Sequence, residues 1–467
     1  MSRTRITGIL VVSVIAIIIG TTKPFVGLSP QGHYLLALTL VSLSLWIFRT
    51  GSVPFLAGGT ILLAGALVFK VPLGTVMSGF TNAAVWTLIP ALFFGYALAK
   101  TGLGNRIAYY VLKSFKPSYL SICVSWFIIG LILSALTPSI VVRFAIVMPI
   151  AMSIVGACEL PDRSRGCALI SFVAWGTALL PGTCWQTGSL WGIFMMGFYP
   201  PEMKVLATPG AWFSYMAVPW FLVSILFLVL VYIFFKPKEP LQLSRETFKK
   251  QYESLGKITK QEIACAIILI GALILFSTEK WTGIRTVEAA LIAFAALILS
   301  GIIKTPDISS GVNWDIICFF GVIMSLTVMF GKTGVSDWVR PMIEPGVLSI
   351  AGSPVIFLFV ITGVLMLIRF IDIAWGFATI ALLAPLFIPL YQQYGLHPVL
   401  ISVCVVAAGN SFFLSYQQPF IVMGEAFSKS RAWMPSHVAL AGLIYLISIT
   451  IGMLISSFYW KAAGLMP

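Results

Sequence analysis

Two arginines sit inside apolar runs. Arg143 lies in Ile140-Val141-Val142-Arg143-Phe144-Ala145-Ile146, and Arg369 in Leu367-Ile368-Arg369-Phe370-Ile371-Asp372. Inserting a guanidinium into hydrocarbon costs at least ~3 kcal/mol, so each should face a cavity or a partner. Its planar fork matches the oxygen pair of a carboxylate or a sulfate. For Arg143 the bland alternative is snorkelling to an interface, against which its distance from the ends of the run argues. Asp372 follows Arg369 by three residues, on the same helical face, so an internal ion pair is the default reading. The functional reading puts Arg369 on a bound anion and lets Asp372 take up a proton.

Neutral donors cluster where apolar runs are interrupted. The interruptions are Thr137-Pro138-Ser139, Pro181 to Thr187, Asp372 to Gly376, and Asn410 to Gln418. Polar backbone at membrane depth is tolerated only where protein shields it or it lines a wet cavity. Helix ends at such breaks aim N–H groups at an anion. Thr137, Ser139, Thr183, Gln186, Asn410, Ser415, Gln417 and Gln418 are therefore expected to bind substrate with the two arginines. Glue between helices is the alternative role for these side chains. His33, His397 and His437 all lie near segment ends, and the seven cysteines are scattered singly. No metal site, hydrolase elbow, prenyl-diphosphate motif or Walker loop is expected from this pattern. The chemistry is anion binding, with no cofactor and no catalysis; a membrane-embedded enzyme or a non-transporting anion sensor are the alternatives.

The elements that must hold these residues follow from composition. Of 467 residues, 59% are hydrophobic and 9% charged; mean hydropathy is +1.01. A soluble domain carries roughly 25% charged residues, so this chain is an all-α polytopic membrane protein. The length allows about eleven crossings of ~20 residues each. A nucleic-acid partner is excluded: the net charge of +14 fits the basic bias of cytoplasmic loops. Arg3 and Arg5 before the run Ile6 to Gly20 imitate a signal peptide, but no small-residue cleavage site follows, and an uncleaved first span is expected. The polar stretch Lys236 to Lys260 splits the chain. With the N-terminus cytoplasmic and 119–155 and 354–391 as hairpins, well over half of the 29 Lys and Arg fall inside, including Arg163, Arg165, Lys429 and Arg431. The C-terminus is then external.

The halves repeat each other. Lys100-Thr101-Gly102 recurs as Lys332-Thr333-Gly334, and Val147-Met148-Pro149-Ile150 as Leu383-Ala384-Pro385-Leu386. Gly176-Thr177-Ala178 answers Gly409-Asn410-Ser411. The two Lys-Thr-Gly copies fall on opposite sides, so the repeats are inverted, the pattern of secondary transporters.

From Phe80-Thr81-Asn82 through Leu136-Thr137-Pro138-Ser139, Asn313-Trp314-Asp315 and Gly395-Leu396-His397-Pro398, the chain resembles the divalent anion:sodium symporter family of dicarboxylate, citrate and sulfate carriers. The resemblance implies two re-entrant hairpins, a homodimer, and a scaffold with an elevator-type transport domain. On that pattern 1–118 and 261–353 are scaffold, 119–235 and 354–467 transport halves, and 236–260 a cytoplasmic basic linker. It also implies Ser-Asn-Thr at each hairpin tip, holding sodium. Here those positions are Ser139, Ile140 and Val141, and Trp375, Gly376 and Phe377. Apolar side chains offer sodium no oxygen. Arg143, with Arg369, is expected to supply the charge instead, making transport sodium-independent, by exchange, by proton coupling through Asp372 or by facilitated diffusion; sodium or a proton is the coupling ion if there is one. The expected function is secondary transport of di- or tricarboxylates in a prokaryotic inner membrane.

Overall fold

Apolar runs this long leave the backbone to satisfy its own hydrogen bonds, and the helix does so locally. The computed structural model describes residues 3–48, 53–137, 139–238, 241, 245–370 and 387–467. Among the described residues only helices and connecting turns occur. Among the described residues eight helices are long and apolar enough to cross a bilayer, including Ala83–Thr101, Tyr119–Leu136, Ile140–Ala157, Pro209–Phe235, Trp314–Lys332 and Pro435–Ala462. Shorter apolar helices include Phe55–Val68, Thr286–Leu299, Pro354–Ile368 and Pro398–Gly409. Hydroxyls open many of them: Ser118, Ser139, Ser164, Thr208 and Thr259 accept first-turn N–H groups.

The repeated Lys-Thr-Gly is a helix ending. Ala83–Thr101 starts at the cap Asn82 and stops at Gly102, whose φ is 81°. Trp314–Lys332 starts at Asn313 and is followed by Thr333 and by Gly334 at φ 78°. The left-handed glycine turns the chain into a further helix in each copy, Leu103–Lys113 and Val335–Ala351. The two copies run antiparallel. Lys100, near the end of the first, bonds Asp307, just before the second, at 2.5 Å. Near the start of the first, the Gly79 N–H donates to Ser325 Oγ, well along the second, at 2.9 Å. Inverted repeats require this opposition.

Tyr119–Leu136 and Ile140–Ala157 form the first hairpin. Each has 18 residues, about 27 Å at 1.5 Å per residue. Its tip is buried: Thr137 and Ser139 are 1% and 4% exposed. The tip rests on Gly95, where a Cβ would come within 2.7 Å of Thr137 Oγ1 and 2.8 Å of Ser139 Cβ. Gly95 lies inside the Ala83–Thr101 helix, so the hairpin ends within the protein rather than beyond it. The second tip, with Asp372, Trp375, Gly376, Phe377 and Pro385, lies outside the described residues, as does Pro138.

The core centres on two helices, one per half. Gly166 to Leu179 is buried throughout, and so is Pro398–Gly409. Both lead directly into the polar breaks. Polar ties hold the periphery. Arg106 binds Glu262 at 2.6 Å and donates to the carbonyls of Leu255, Gly256 and Lys257. The polar linker carries its own helix, Arg245–Ser254, anchored by buried Phe248 and by Lys113 over the Tyr252 ring. Asp162 of one half pairs with Arg431 of the other at 2.7 Å, and the Arg163 N–H donates to the Arg431 carbonyl at 2.8 Å. Loops that charge counting put on one side thus meet. All seven cysteines are free, and the described residues hold no cluster of metal-ligating side chains.

Candidate functional site

The first break begins where Pro181 cannot continue the helix Arg165–Leu179. Two short 3-10 turns follow, Pro181–Cys184 and Gln186–Gly188, and then the helix Leu190–Phe198. The turns are folded so tightly that a Cβ on Gly182 would lie 2.4 Å from the Gly188 carbonyl and 2.6 Å from Arg143 Nη2. Only glycine fits there.

Arg143 lies in the first turns of Ile140–Ala157 and is fully buried. Its Nε donates to the Ala178 carbonyl at 2.8 Å, and its Nη1 to those of Thr137 and Gly188 at 2.5 and 2.6 Å. Thr137 closes one helix and Ala178 lies in the last turn of another, so these are carbonyls at helix C-terminal ends, where a cation is favoured. Three donor contacts of the guanidinium thus tie the hairpin tip to the break. Nη2 is the buried atom left without a partner among the described residues. The hydroxyls of Ser134, Thr177, Thr183 and Ser189, on the tip arm and along the break, are likewise buried and unpartnered there. Buried polar atoms are rarely left so, and a set of them at one place marks a site for water or a polar ligand.

The other predicted residues of this half turn elsewhere. Thr137 Oγ1 accepts the Ser139 N–H, and Ser139 Oγ caps its helix through Val142. Gln186 donates to the Ala207 carbonyl at 2.5 Å. Thr137 and Ser139 thus bond within the hairpin tip, and Gln186 ties the break to Ala207.

The second break runs from Asn410 to Gln418, with a 3-10 turn at Ser415–Gln417 and the helix Pro419–Phe427 beyond. Here side-chain amides organise the backbone. Gln417 Oε1 accepts the N–H groups of Phe413 and Leu414 at 2.7 and 2.9 Å. Gln418 accepts from Phe420 and donates to the Asn410 carbonyl. Arg369 Nη2 donates to the Gln417 carbonyl. Each buried arginine thus holds a carbonyl in the break of its own half, Arg143 that of Gly188 and Arg369 that of Gln417. Ser415 Oγ donates to Glu425 Oε1 at 2.7 Å. Asn410 accepts from Trp191 Nε1 at 3.3 Å, while its Nδ2 is buried without a partner among the described residues.

Trp191 joins the halves. It follows the first break, reaches Asn410, and packs where a Cβ on Gly409 would meet its ring at 2.2 Å. The predicted residues therefore form two neighbouring groups, Thr137, Ser139, Arg143 and Thr183 in one and Arg369, Asn410, Ser415, Gln417 and Gln418 in the other. Sequence reasoning missed Trp191, Glu425 and the hydroxyls of Ser134, Thr177 and Ser189. Glu425 had a signal: it is an acid within the apolar run Pro419-Phe420-Ile421-Val422-Met423-Gly424 and Phe427.

Paired broken helices in antiparallel repeats are the pattern of secondary transporters. The profile of the family described as "Sodium:sulfate symporter transmembrane region" matches residues 3–466, and the chain belongs to that family. It is 24% identical over 466 residues to dicarboxylate transporter 1, chloroplastic, of Spinacia oleracea, covering 94% of this chain and 78% of that protein. Over 328 residues it is 25% identical to an L-tartrate/succinate antiporter of Escherichia coli O6:K15:H31, covering 68% and 66%. The fold is similar to that of the Alcanivorax borkumensis YdaH transporter, with TM-score 0.59 at 15% identity, covering 93% of this chain and 98% of that one. The chain is an integral, multi-pass anion transporter of this family and not an enzyme.

Proposed function

We propose that this protein exchanges small dicarboxylates across a prokaryotic inner membrane without sodium, moving a transport unit by an elevator motion within a homodimer. The N-terminus is then cytoplasmic and the C-terminus external. The observation that carries the sodium-independent reading is the cage of Arg143. Three main-chain carbonyls that could coordinate a free cation are filled by a tethered guanidinium, and Ile140 and Val141 follow Ser139 where an oxygen ligand would be needed. The positive charge that balances the anion is then part of the chain. In this reading Arg143 acts through its charge and its Nη2, with the neighbouring hydroxyls, Arg369 and Asn410 Nδ2 as further donors. Relatives named as a dicarboxylate transporter and a tartrate/succinate antiporter support the substrate class and the exchange mode.

Purified protein in liposomes loaded with succinate should take up labelled succinate equally well in sodium and in choline medium, and much more slowly when the lumen is empty. A steep sodium dependence would falsify the built-in cation.

A further inference from the structure

We infer that the groove between Lys304 and Trp314 binds an anionic phospholipid, the lysine taking the headgroup phosphate and the adjoining helix face an acyl chain. The groove has a volume of about 910 Å³, is open to the outside, and is lined by Ile298, Ile303, Lys304, Ile308, Ser309 and Trp314. That volume is within the range of small-molecule sites.

The chain builds it at the end of an apolar span. Thr286–Leu299 packs on Ala83–Thr101 and on Lys260–Ser277. Leu291, Ile292, Ile298 and Leu299 are exposed, and their spacing of seven puts them on one stripe of the helix. Past the helix, Gly301 turns the chain at φ 72° and the Ile303 N–H donates to the Leu297 carbonyl at 3.1 Å. Lys304 comes next, so an ammonium stands just beyond the apolar stripe. A phospholipid presents its phosphate and its chains in that order.

Trp314 closes the other side. Its Nε1 donates to the Ile308 carbonyl at 2.9 Å, which fixes an indole that remains exposed. Indoles held in this way anchor a protein at the membrane–water boundary. The device recurs in the other half: Lys70-Val71-Pro72 answers Lys304-Thr305-Pro306, and Trp86 Nε1 donates to the Phe80 carbonyl, again six residues back. Each tryptophan opens one of two antiparallel helices, so the pair marks opposite faces of the membrane.

The charge at the groove has no counter-charge. Lys304 is exposed and forms no ion pair among the described residues. The nearby acids are committed elsewhere. Asp307 is buried and takes hydrogen bonds from Lys100, Tyr96 and the Lys304 N–H, and Asp315 accepts the N–H groups of Phe55 and Leu56. Lys260–Ser277 and Thr286–Leu299 form an antiparallel pair, so Lys257 and Lys260 stand at the same end as Lys304. A headgroup arriving there meets a positive field. A soluble anion would meet the same ammonium but leave the apolar wall uncovered.

The test uses purified full-length protein, delipidated in dodecyl maltoside, with dioleoyl phosphatidylglycerol and dioleoyl phosphatidylcholine as probes. Native mass spectrometry measures the tightest bound lipid, and thermal unfolding reads its effect on the fold. The wild type should hold phosphatidylglycerol more tightly than phosphatidylcholine, with the difference narrowing as salt is raised. Lys304→Gln should weaken phosphatidylglycerol about fivefold, the worth of one lysine near a headgroup, and Lys304→Arg should restore it. Without lipid, Lys304→Gln should unfold at the wild-type temperature, which separates lost binding from lost fold. Equal binding of the two lipids by the wild type overturns the inference, as does an unchanged preference in Lys304→Gln. Competition by glycerol 3-phosphate as strong as by the lipid overturns it in favour of a soluble anion. A dimer that dissociates on Lys304→Gln while lipid has no effect overturns it in favour of a second copy of the chain.

Discussion

The two breaks solve one problem with different materials. In the first, a cation buried in the chain gathers carbonyls of Thr137, Ala178 and Gly188, and close-packed glycines let the strands of the turn touch. In the second, amide side chains do the gathering: Gln417 holds two N–H groups and Gln418 spans the turn. An acid, Glu425, stands beside the second break, whereas the first contains none. Repeats with a shared topology have thus diverged in electrostatics.

The strongest way to break this comparison is to remove the caged cation. Arg143→Ala strands three buried carbonyls, each worth about 1–3 kcal/mol when unsatisfied, so at least about 3 kcal/mol of stability should be lost. Thermal unfolding of the detergent-solubilised protein measures it, and Arg143→Lys should not restore the loss because a compact ammonium cannot span all three acceptors. If the alanine variant unfolds at the wild-type temperature, the first break does not depend on its cation.

The corresponding change in the second half sharpens the contrast. Gln417→Ala leaves the N–H groups of Phe413 and Leu414 unserved at a partly buried site, and should cost about 2 kcal/mol, less than Arg143→Ala. Equal losses would mean that the two halves are built alike.

The smallest effect belongs to the outer tie between the repeats. The hydrogen bond from Lys100, followed by those from Tyr96 and the Lys304 N–H, lowers the Asp307 carboxyl from 3.8 to about 2. A lowered pKa stabilises the fold above the unfolded value, and this contribution fades as pH falls from near 3.8 through about 2. Asp307→Asn should therefore lower the unfolding temperature slightly at neutral pH and make no difference at the acid end of that window. A variant that is equally destabilised at both ends would place its effect in packing.

The apolar segments, the repeated helix endings and the positions of the breaks were legible because each rests on local letters: hydrophobic runs, Asn caps, a glycine at positive φ. The meeting of Asp162 with Arg431 was not legible in the sequence, where charge counting only placed the two loops on one side. Arg143 was legible as buried and consequential, yet its partners were not. They are main-chain carbonyls, which every residue carries and no sequence displays. The partner of Gln186 was hidden for the same reason, being the Ala207 carbonyl. Glu425 escaped because the apolar run was judged by its hydropathy, and one acid near its end reads as the approach of a loop. Its partner is Ser415, ten residues earlier, which only the fold brings to it.

The contact of Asp162 and Arg163 with Arg431 has a mechanical consequence. It fastens the loop that follows the first hairpin to the loop that follows the second break, at the exposed surface of the molecule. Two loops more than two hundred residues apart in the chain are thereby held together by an ion pair and a main-chain hydrogen bond.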